Sequence, residues 1–305
     1  MDNLNQKELT NRLNKYRDAY YNHSDPLVTD AEYDALFDKL KKMEQESGIV
    51  LSNSPTRTVG YEVKSKLAKV KHDIPLLSLD KTKDTNDLIK FIKQNPCIMM
   101  FKYDGLTVEL IYNDGQLVQA STRGDGYIGE DITHNAKTFK NIPLSIPYKG
   151  FLRVVGEAII HKDDFQFIND NLPAGEKPYA NARNLVSGSV RQLDNKICAN
   201  RNVHFMPWDI LEGLDDECTS YRYEKLMYCV GIGFNCPNMI IYKYTPDNEQ
   251  LDSDIETLRQ RAIDAGIPID GLVVKYDSIE YSKQKGGTSH HNNDGIAFKF
   301  EDETE

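Results

Sequence analysis

The sequence predicts an α+β fold, in which a small helical hairpin precedes a larger domain built mainly from strands. Two features support the hairpin: apolar residues recur at helical spacing through residues 4–21, and again through a second stretch that ends at Gly48. A third feature supports the strand-rich domain, where short apolar runs flank a hairpin turn at Asn113, Asp114 and Gly115. At 305 residues, the chain is long enough for one large and one small domain.

The N-terminal hairpin is predicted from two amphipathic patterns. Leu9, Leu13 and Tyr16 alternate at spacings of four and three, which places them on one face of a helix. A second helix is predicted to open with Thr29 and Glu32 as a capping box. Two helices of this length form a hairpin rather than a domain that folds well alone.

Charge and composition exclude several classes of protein. A net charge of -10 argues against broad, non-specific binding of nucleic acid. No apolar run is long enough to span a bilayer, and the N-terminus lacks the apolar core of a signal peptide, so we expect a cytoplasmic protein. The five cysteines are odd in number and lack C-x-x-C spacing, which argues against a disulfide framework and a structural zinc site.

Three lysines stand on otherwise apolar strands. Lys102 ends the apolar run CIMMF, Lys275 ends the strand within IDGLVVKYD, and Lys299 stands within GIAFKF. A buried ammonium group costs several kcal/mol unless it is paired, so the three together suggest one anion-binding cleft. For Lys102 alone, the alternative is a lysine that reaches out to solvent from a strand end.

A glycine-rich segment, STRGDGYIGEDIT, follows the first β-hairpin. Its glycines let the backbone approach a ligand, and Arg123 offers a planar fork for phosphate or ribose. On its own, such a segment is more often an ordinary tight turn. Glu130 and Asp131 are predicted to start the helix that follows.

Other candidate side chains lie further along the chain. Glu157, in a predicted strand over 151–160, needs a partner or a shifted pKa, and an ion pair with a structural arginine is the alternative. Residues 178–194 are predicted to be helical, with Arg183 and Arg191 two turns apart on one face. Trp208, the only tryptophan, lies in another predicted strand. The helices predicted near 221–231 and 247–265 look architectural.

The spacing of the three lysines resembles motifs I, IV and V of the covalent nucleotidyltransferases, which include DNA ligases, RNA ligases and capping enzymes. The stretches YYNHSDPLVTDAEYD and TRGDG narrow the resemblance to NAD-dependent DNA ligases. The resemblance implies an antiparallel-sheet nucleotidyltransferase domain, of the ATP-grasp-like DNA ligase adenylation type, at residues 61–305. It also implies a helical domain that binds nicotinamide mononucleotide (NMN), with a linker, at residues 1–60.

This resemblance also implies a mechanism. Lys102 would attack the α-phosphate of NAD, form lysyl-AMP and release NMN, which is the first step of nick sealing. Only a neutral amine attacks, so neighbouring cations such as Lys275 and Lys299 would lower its pKa and also stabilise phosphate charge. Asp104 would orient Lys102 or the ribose. The reaction class implies Mg²⁺, although no cluster of metal ligands can be found from spacing.

The implied cofactor-binding residues fall into two groups. Aromatic rings can stack on nicotinamide, and carboxylates can accept hydrogen bonds from ribose hydroxyls. For Tyr20 and Tyr33, the alternative is a place in the core of the hairpin. The NMN group is Tyr20, Tyr21, Asp30, Tyr33 and Asp34, and the adenylate group is Ser78, Leu79, Arg123, Glu157, Arg183, Arg191 and Trp208.

The chain departs from the family pattern at several positions and in its length. Val155 replaces a usual arginine before Gly156 and Glu157, and Asp294 with Gly295 replaces a usual arginine and tryptophan before motif V. Met100 stands where the family usually has a glutamate that hydrogen-bonds the adenine amino group. The chain also stops shortly after Lys299, where this family normally continues with an oligonucleotide-binding barrel, a zinc finger, helix-hairpin-helix repeats and a BRCT domain. We therefore expect self-adenylation in this chain, with nicked double-stranded DNA bound through such further domains.

Two alternatives stay open at this stage. An ATP-dependent polynucleotide ligase acting on RNA or DNA would share the three lysine motifs. A non-catalytic relative that only binds nucleotide would share the fold.

Overall fold

Ten helices and thirteen strands occur in the ranges that the structure describes. The computed structural model describes residues 5–23, 27–56, 66–93, 95–173, 175–218, 220–288 and 291–300. The helices are α1 (Gln6–His23), α2 (Asp30–Ser47), α3 (Thr85–Ile92), α4 (Thr133–Ala136), α5 (Lys162–Asp170), α6 (Ala182–Val190), α7 (Asn195–Ala199), α8 (Arg222–Gly231), α9 (Asn248–Asp264) and α10 (Ile279–Lys285). The strands are β1 (Val50–Leu51), β2 (Lys69–Lys71), β3 (Ser78–Thr82), β4 (Cys97–Tyr103), β5 (Leu106–Asn113), β6 (Gln116–Thr122), β7 (Ile128–Glu130), β8 (Pro143–Ser145), β9 (Leu152–Ile159), β10 (His204–Glu212), β11 (Met239–Tyr242), β12 (Ile269–Tyr276) and β13 (His291–Lys299). Among the described helices, none is both long and apolar enough to cross a membrane.

The first two helices form the predicted hairpin. Leu9, Leu13 and Leu40 are fully buried between them. Thr29 and Glu32 exchange both hydrogen bonds of a capping box at the start of α2, as predicted. The second helix ends at Gly48, which adopts the left-handed conformation typical of a helix C-terminus.

The rest of the chain is organised around two sheets. One has six antiparallel strands in the order β1-β8-β6-β5-β9-β10. The other has five strands in the order β11-β4-β12-β13-β3, of which only β13 and β3 run parallel. A short ribbon of β2 and β7 is separate from both. The mixture of helices and mainly antiparallel sheets confirms the predicted α+β class.

Strand β4 is buried on both faces, which explains its continuous apolar run. Ile98 and Met100 pack in a core that also contains residues of β5 and β9 in the six-stranded sheet. Met99 and Phe101 pack in a second core with residues of α3 and α9. The five-stranded sheet is therefore covered by the other sheet on one face and by helices on the opposite face. Side chains that alternate with Met99 and Phe101 face the six-stranded sheet.

Two predicted boundaries are wrong near the candidate site. Strand β4 continues to Tyr103, so Lys102 lies within the strand instead of at its end, because Tyr103 still pairs with Ile269 of β12. Glu130 belongs to β7 and does not start a helix. Helix α4 begins at Thr133, whose backbone N–H donates to the Asp131 carboxylate.

The helix predicted over 178–194 is shorter than expected. It covers only α6, because the Asn181 side chain caps its first turn by accepting a hydrogen bond from the Asn184 N–H. Arg191 follows the last helical residue, and a separate helix, α7, begins after the Asp194 cap. Arg183 and Arg191 therefore do not share one continuous helix face.

Candidate active site

Lys102, Lys275 and Lys299 lie on one face of the five-stranded sheet. Gly271 of β12 stands opposite both Lys102 in β4 and Lys299 in β13. Residues that face each other across antiparallel strands point to the same side, and Lys275, four residues beyond Gly271, shares that side. Lys275 stands opposite Ile98, which packs toward the six-stranded sheet. All three lysines therefore face the space between the sheets.

Asp270, at the start of β12, joins two of these lysines. Its carboxylate oxygens lie 2.7 and 2.8 Å from the Lys102 Nζ, and Oδ2 also accepts a hydrogen bond from the Lys299 Nζ. The Lys102 side chain is 24% exposed, so a ligand can reach it. Burial lowers the pKa of Lys102 below its ordinary value of 10.5, with Lys299 adding to the effect and Asp270 opposing it. This arrangement gives a reachable lysine that loses its proton more readily than a solvated one.

Lys275 is held in a separate, buried group of charges, which we call the Lys275 cluster (Lys275, Asp209, Arg222 and Asp294). The Lys275 Nζ lies 2.8 Å from Asp209 Oδ2 and 3.2 Å from Asp294 Oδ2. Arg222, from α8, donates to both of these carboxylates. The Nζ also lies 5.6 Å from the centre of the Trp208 ring. Lys275 is only 4% exposed, so water does not solvate its charge. The carboxylates of Asp209 and Asp294 balance that charge instead.

Glu157 approaches Lys102 from the six-stranded sheet. Its Oε2 accepts a hydrogen bond of 3.0 Å from the Thr107 hydroxyl, on the neighbouring strand. Burial raises the pKa of Glu157 to about 7, although the Thr107 hydrogen bond and the positive charges of Lys102, Arg183 and Arg123 oppose the rise. Lys102 belongs to the five-stranded sheet and Glu157 to the six-stranded sheet, and the charge of Lys102 acts on Glu157. Strands of both sheets therefore contribute to one site.

The two candidate arginines of the α6 region contact different partners. Arg183 Nη1 lies 3.6 Å from Asp104 Oδ1, in the turn directly after β4. Arg191 donates to Glu130 over 2.7 Å and also contacts the Ser187 hydroxyl. The structure thus brings Arg183 to the turn beside Lys102, whereas Arg191 is directed to the β7 ribbon.

The glycine-rich segment forms a tight turn between β6 and β7. Gly124 and Gly126 have φ of +57° and +97°, and a Cβ on Gly124 would lie 1.9 Å from the Ile128 carbonyl oxygen. Asp125 accepts hydrogen bonds from the N–H groups of Tyr127 and Ile128. An open cavity of about 500 Å³ is lined by Gly124 and Asp125 of this turn, by all three residues of β7 and by Lys69 of β2. None of the three lysines lines that cavity.

The remaining predicted residues lie on β3 and in the hairpin. Ser78 and Leu79 pair with the start of β13, and a Cβ at Gly295 would lie 3.2 Å from the Leu79 side chain. Tyr33 is half-buried, stacks with Phe37 and packs against the leucine core of the hairpin. The side chains of the other four predicted NMN contacts lie outside the described residues: Tyr20, Tyr21, Asp30 and Asp34.

Met100 lies two residues before Lys102 and faces the same side of β4. It is 1% exposed and packs in the core between the sheets. At this position the chain therefore offers the cleft an apolar thioether and no hydrogen-bond acceptor of the strength of a carboxylate.

In the described ranges, no group of three or more His, Cys, Asp or Glu side chains is placed to hold a metal ion. Mg²⁺ commonly binds through one or two carboxylates together with substrate phosphates and water. Glu157 is a carboxylate of the kind that this mode requires, whereas the Asp270 oxygens already pair with Lys102 and Lys299, so the donor set is compatible with an ion that enters with a nucleotide.

Sequence reasoning did not assign a role to four charged residues of this site. Asp270 had a usable signal, because it forms an Asp-Gly pair at the start of a lysine-bearing strand. Asp209 directly follows Trp208 in an otherwise apolar strand. Arg222 gave no signal, and Asp294 stood out only as a departure from the family pattern, because the partners of both are distant in the sequence. The four residues are Asp209, Arg222, Asp270 and Asp294.

Comparison with known proteins identifies the family. The sequence profile of the NAD-dependent DNA ligase adenylation domain matches residues 64–303. The profile of the DNA ligase-like, N-terminal NAD⁺-binding domain matches residues 2–60. The chain belongs to the NAD-dependent DNA ligase adenylation domain family. The resemblance inferred from the lysine motifs is thereby confirmed.

Curated relatives of this adenylation domain are named DNA ligases. The chain is 42% identical over 298 residues to one from Lachnoclostridium phytofermentans, covering 97% of this chain and 45% of that protein. It is 40% identical over 291 residues to one from Ruminiclostridium cellulolyticum, covering 95% of this chain and 44% of that protein. The chain thus spans about half the length of the curated relatives it matches.

Two solved structures that resemble this adenylation domain do so distantly. A putative ATP-dependent DNA ligase from Aquifex aeolicus aligns with a TM-score of 0.42 and 12% identity, over 86% of this chain and 62% of that one. An archaeal ATP-dependent RNA ligase aligns with a TM-score of 0.41 and 13% identity, over 86% of this chain and 64% of that one. Likenesses this distant do not bear on the cofactor or the substrate.

Proposed function

We propose that this chain carries out the NAD-dependent self-adenylation that begins DNA nick sealing. The observation that carries the proposal is the pairing of a reachable lysine, Lys102, with Asp270 and Lys299. Membership of the NAD-dependent ligase adenylation family supports NAD as the donor of AMP. The product is a covalent lysyl-AMP, and NMN is released.

In the proposed step, an N–P bond forms between the Lys102 Nζ and the α-phosphorus of NAD, while the P–O bond to NMN breaks. NMN leaves with the bonding electron pair on its phosphate. The ammonium group loses one proton before the attack and the nitrogen loses another after it, and both go to water. Asp270 orients the amine instead of accepting its proton, because the two ammonium groups outweigh burial and lower the pKa of this carboxyl.

Positive charge around Lys102 has a second role in this proposal. Lys299 and Arg183 supply fixed charge where negative charge develops on the phosphorus. Asp104 holds Arg183 at the turn beside the nucleophile. Lys275 stays a candidate catalytic residue, and its use requires a phosphate to replace Asp209 or Asp294 as its partner.

We assign the two ends of NAD to the two groups of residues predicted from the sequence. Trp208 offers an aromatic face for adenine, and Glu157 offers a carboxylate for the ribose. We also assign residues 1–60 as the NMN-binding domain with its linker and residues 61–305 as the nucleotidyltransferase domain. The remaining assignments are Ser78, Leu79, Arg123 and Arg191 for the adenylate and Tyr20, Tyr21, Asp30, Tyr33 and Asp34 for NMN.

Mg²⁺ is the metal ion that this reaction class implies. Glu157 is the carboxylate that would hold it, beside the ribose and together with the NAD phosphates, because both oxygens of Asp270 already pair with Lys102 and Lys299. When bound, the ion would neutralise charge on those phosphates.

Nicked double-stranded DNA is the proposed partner of the loaded protein. The support is the name DNA ligase carried by the relatives, and the chain's own net charge of -10 argues that its contribution to DNA affinity is small. We propose that the protein acts in the cytoplasm, since its five cysteines are all free, which suits a reducing compartment.

The test is mass spectrometry of the protein after incubation with Mg²⁺ and either NAD or ATP. We expect the parent to gain one AMP from NAD and none from ATP. Lys102→Ala should gain none, whereas Lys90→Ala, which removes an exposed lysine of α3, should load as the parent does. Loading from ATP alone would favour the ATP-dependent ligase, and no loading from either donor would favour a nucleotide-binding relative.

A further inference from the structure

A buried polar chain behind the glycine-rich turn is not used by the proposed mechanism. Its centre is His72, whose side chain is fully buried. The His72 Nδ1 lies 3.2 Å from Glu109 Oε2, and the opposite oxygen of that carboxylate lies 3.0 Å from Arg153 Nη1. Arg153 continues to Asp73 and Glu212 at the surface. An imidazole, a carboxylate and a guanidinium are thus linked across the six-stranded sheet.

Among the residues that the structure describes, both nitrogens of His72 have only acceptors as hydrogen-bond partners. The Nε2 lies 3.1 Å from the Thr122 carbonyl oxygen and 3.2 Å from that of Arg123. Carbonyl and carboxylate oxygens accept hydrogen bonds, so each nitrogen must donate and the ring is an imidazolium. Consistently, the hydrogen bond to Glu109 raises the pKa of His72 above its ordinary value. Although burial raises the pKa of Glu109, its bonds to His72 and Arg153 lower it overall.

The imidazolium connects both sides of the turn. The Arg123 carbonyl accepts from His72 and from the Gly126 N–H, while the Arg123 N–H donates to the Thr107 carbonyl. On the side of the turn that leads into β7, the backbone N–H of His72 donates to the Tyr127 carbonyl over 2.8 Å. The ring also packs against the backbone there, because a Cβ on Gly129 would lie 3.0 Å from the His72 Nε2.

We propose that His72 is a positioning residue that fixes the backbone at Thr122 and Arg123, so that the Arg123 guanidinium faces Glu157 and the bound nucleotide. This inference rests on the proposed function, because it takes the nucleotide to bind beside Glu157. His72 itself does not touch the nucleotide. It acts through Arg123, whose charge already reaches Glu157 in the structure.

The kinetic test compares His72→Asn, Arg123→Ala and the double variant in self-adenylation with NAD. We expect His72→Asn to raise KM for NAD by about tenfold while leaving the single-turnover rate at saturating NAD within about twofold. In the Arg123→Ala background, the same change should alter KM by less than about twofold, because its effect is already lost. Independent, multiplying effects on KM would overturn the proposal, as would a fall in rate with an unchanged KM.

A second variant and a control keep the test decisive if His72→Asn folds poorly. Glu109→Gln keeps the ring and the volume but removes the charge that holds it, and should raise KM in the same direction. His204→Asn changes a half-buried histidine that hydrogen-bonds the Asn202 carbonyl, away from the turn, and should leave KM unchanged. An unchanged KM in Glu109→Gln would count against the positioning role of His72.

Hydrogen exchange separates this inference from the proposed function. Amides of residues 123–130 should exchange faster in His72→Asn than in the parent or in His204→Asn. Equal rates of amide exchange in the parent and the two variants would contradict the positioning role of His72, whether or not the protein loads AMP. Conversely, a parent that takes no AMP from NAD defeats the proposed function, while the exchange result still decides whether His72 holds the turn.

Discussion

The Lys102 ammonium and the Asp270 carboxylate meet across neighbouring strands, with Nζ 2.7 Å from one oxygen and 2.8 Å from the other. The two residues are 168 positions apart in the sequence. Asp270 also binds Lys299, so a single carboxylate fixes two amines on one side of the sheet. The direction in which the Lys102 nitrogen points therefore depends on Asp270.

Replacing Asp270 by Asn should slow lysyl-AMP formation. The change releases both amines, and misplacing a reacting atom by about 1 Å costs on the order of 100-fold in rate. An opposing effect is expected, because loss of the carboxylate lowers the pKa of Lys102 further and gives more free amine. The rate at saturating NAD, measured by quenched mixing, should nevertheless fall, with Asp252→Asn on α9 as the exposed control. An Asp270→Asn protein that loads as fast as the parent would show that the orientation of the amine is not set here.

Glu157 should add a second step to the pH dependence of self-adenylation. Its pKa of about 7 means that it is mainly protonated below that pH and ionised above it. An ionised carboxylate accepts hydrogen bonds from ribose, and loss of a proton from Lys102 also favours reaction at higher pH. A plot of the logarithm of the second-order rate constant for loading from NAD against pH should therefore be steeper below pH 7 than above it.

The matching variant is Glu157→Gln, which keeps the shape of the side chain but does not ionise. Its plot should lose the break that Glu157 produces near pH 7, because residue 157 then no longer titrates. A break near pH 7 that persists in this variant would assign that titration to another group.

Replacing Arg222 by Met should destabilise the protein strongly. Burial alone would raise the pKa of Asp209, but the charges of Arg222 and Lys275 outweigh it and lower this pKa to about 2. Removing one partner of a buried ion pair costs about 3–5 kcal/mol. Denaturant unfolding should report this loss, whereas Lys42→Ala, which breaks an exposed pair with Glu46, should cost less than about 0.5 kcal/mol. Similar midpoints for the two variants would contradict the role given to the cluster.

The Asp209 carboxyl also fixes the pH range in which the cluster stabilises the fold. Its pKa is lower in the folded protein than its ordinary value of 3.8. The Asp209 carboxyl of the unfolded chain therefore binds the proton more tightly than that of the folded protein. The contribution of ionised Asp209 to the free energy of unfolding is fully present above about pH 4 and is lost as the pH falls toward 2. Acid unfolding of Arg222→Met should accordingly begin at a higher pH than that of the parent.

Gly124→Ala should distort the glycine-rich turn. Gly124 has φ of +57°, and the new Cβ would lie 1.9 Å from the Ile128 carbonyl oxygen. We expect a loss of more than about 1 kcal/mol in thermal unfolding. Gly188→Ala is the matched control, because nothing lies within 4 Å of its Cβ position in α6, and it should be neutral or stabilising by up to about 1 kcal/mol. Equal losses would place the cost outside the turn geometry.

Sequence patterns predicted what depends on short-range order. The two amphipathic patterns correctly predicted the N-terminal hairpin, and the Thr29 capping box was found where it was predicted. The extent of helix α6 and the place of Glu130 were predicted wrongly. Helix α6 begins where the Asn181 side chain caps it, and Glu130 is in a strand because β7 pairs with β2. Residue propensity alone reveals neither of these contacts.

The partners of the charged residues were not predictable in the same way. Asp270 reaches Lys102 only because β12 pairs with β4 in one particular register. Arg222 lies on a helix that looks purely architectural in the sequence, yet its guanidinium is buried against Asp209. Such pairs depend on contacts between distant segments, and no local period marks them.

The lysines differ in how completely their charge is balanced. In the Lys275 cluster, two carboxylates offset two cations, whereas among the described residues Asp270 is the one carboxylate that forms ion pairs with Lys102 and Lys299. Lys102 and Lys299 therefore carry one more positive than negative charge in their ion pairs, and the charges of Arg123 and Arg183 act on the nearby Glu157 as well. An incoming dinucleotide, whose anionic part is its pyrophosphate, would be turned into the productive orientation before contact, and added salt would weaken this steering.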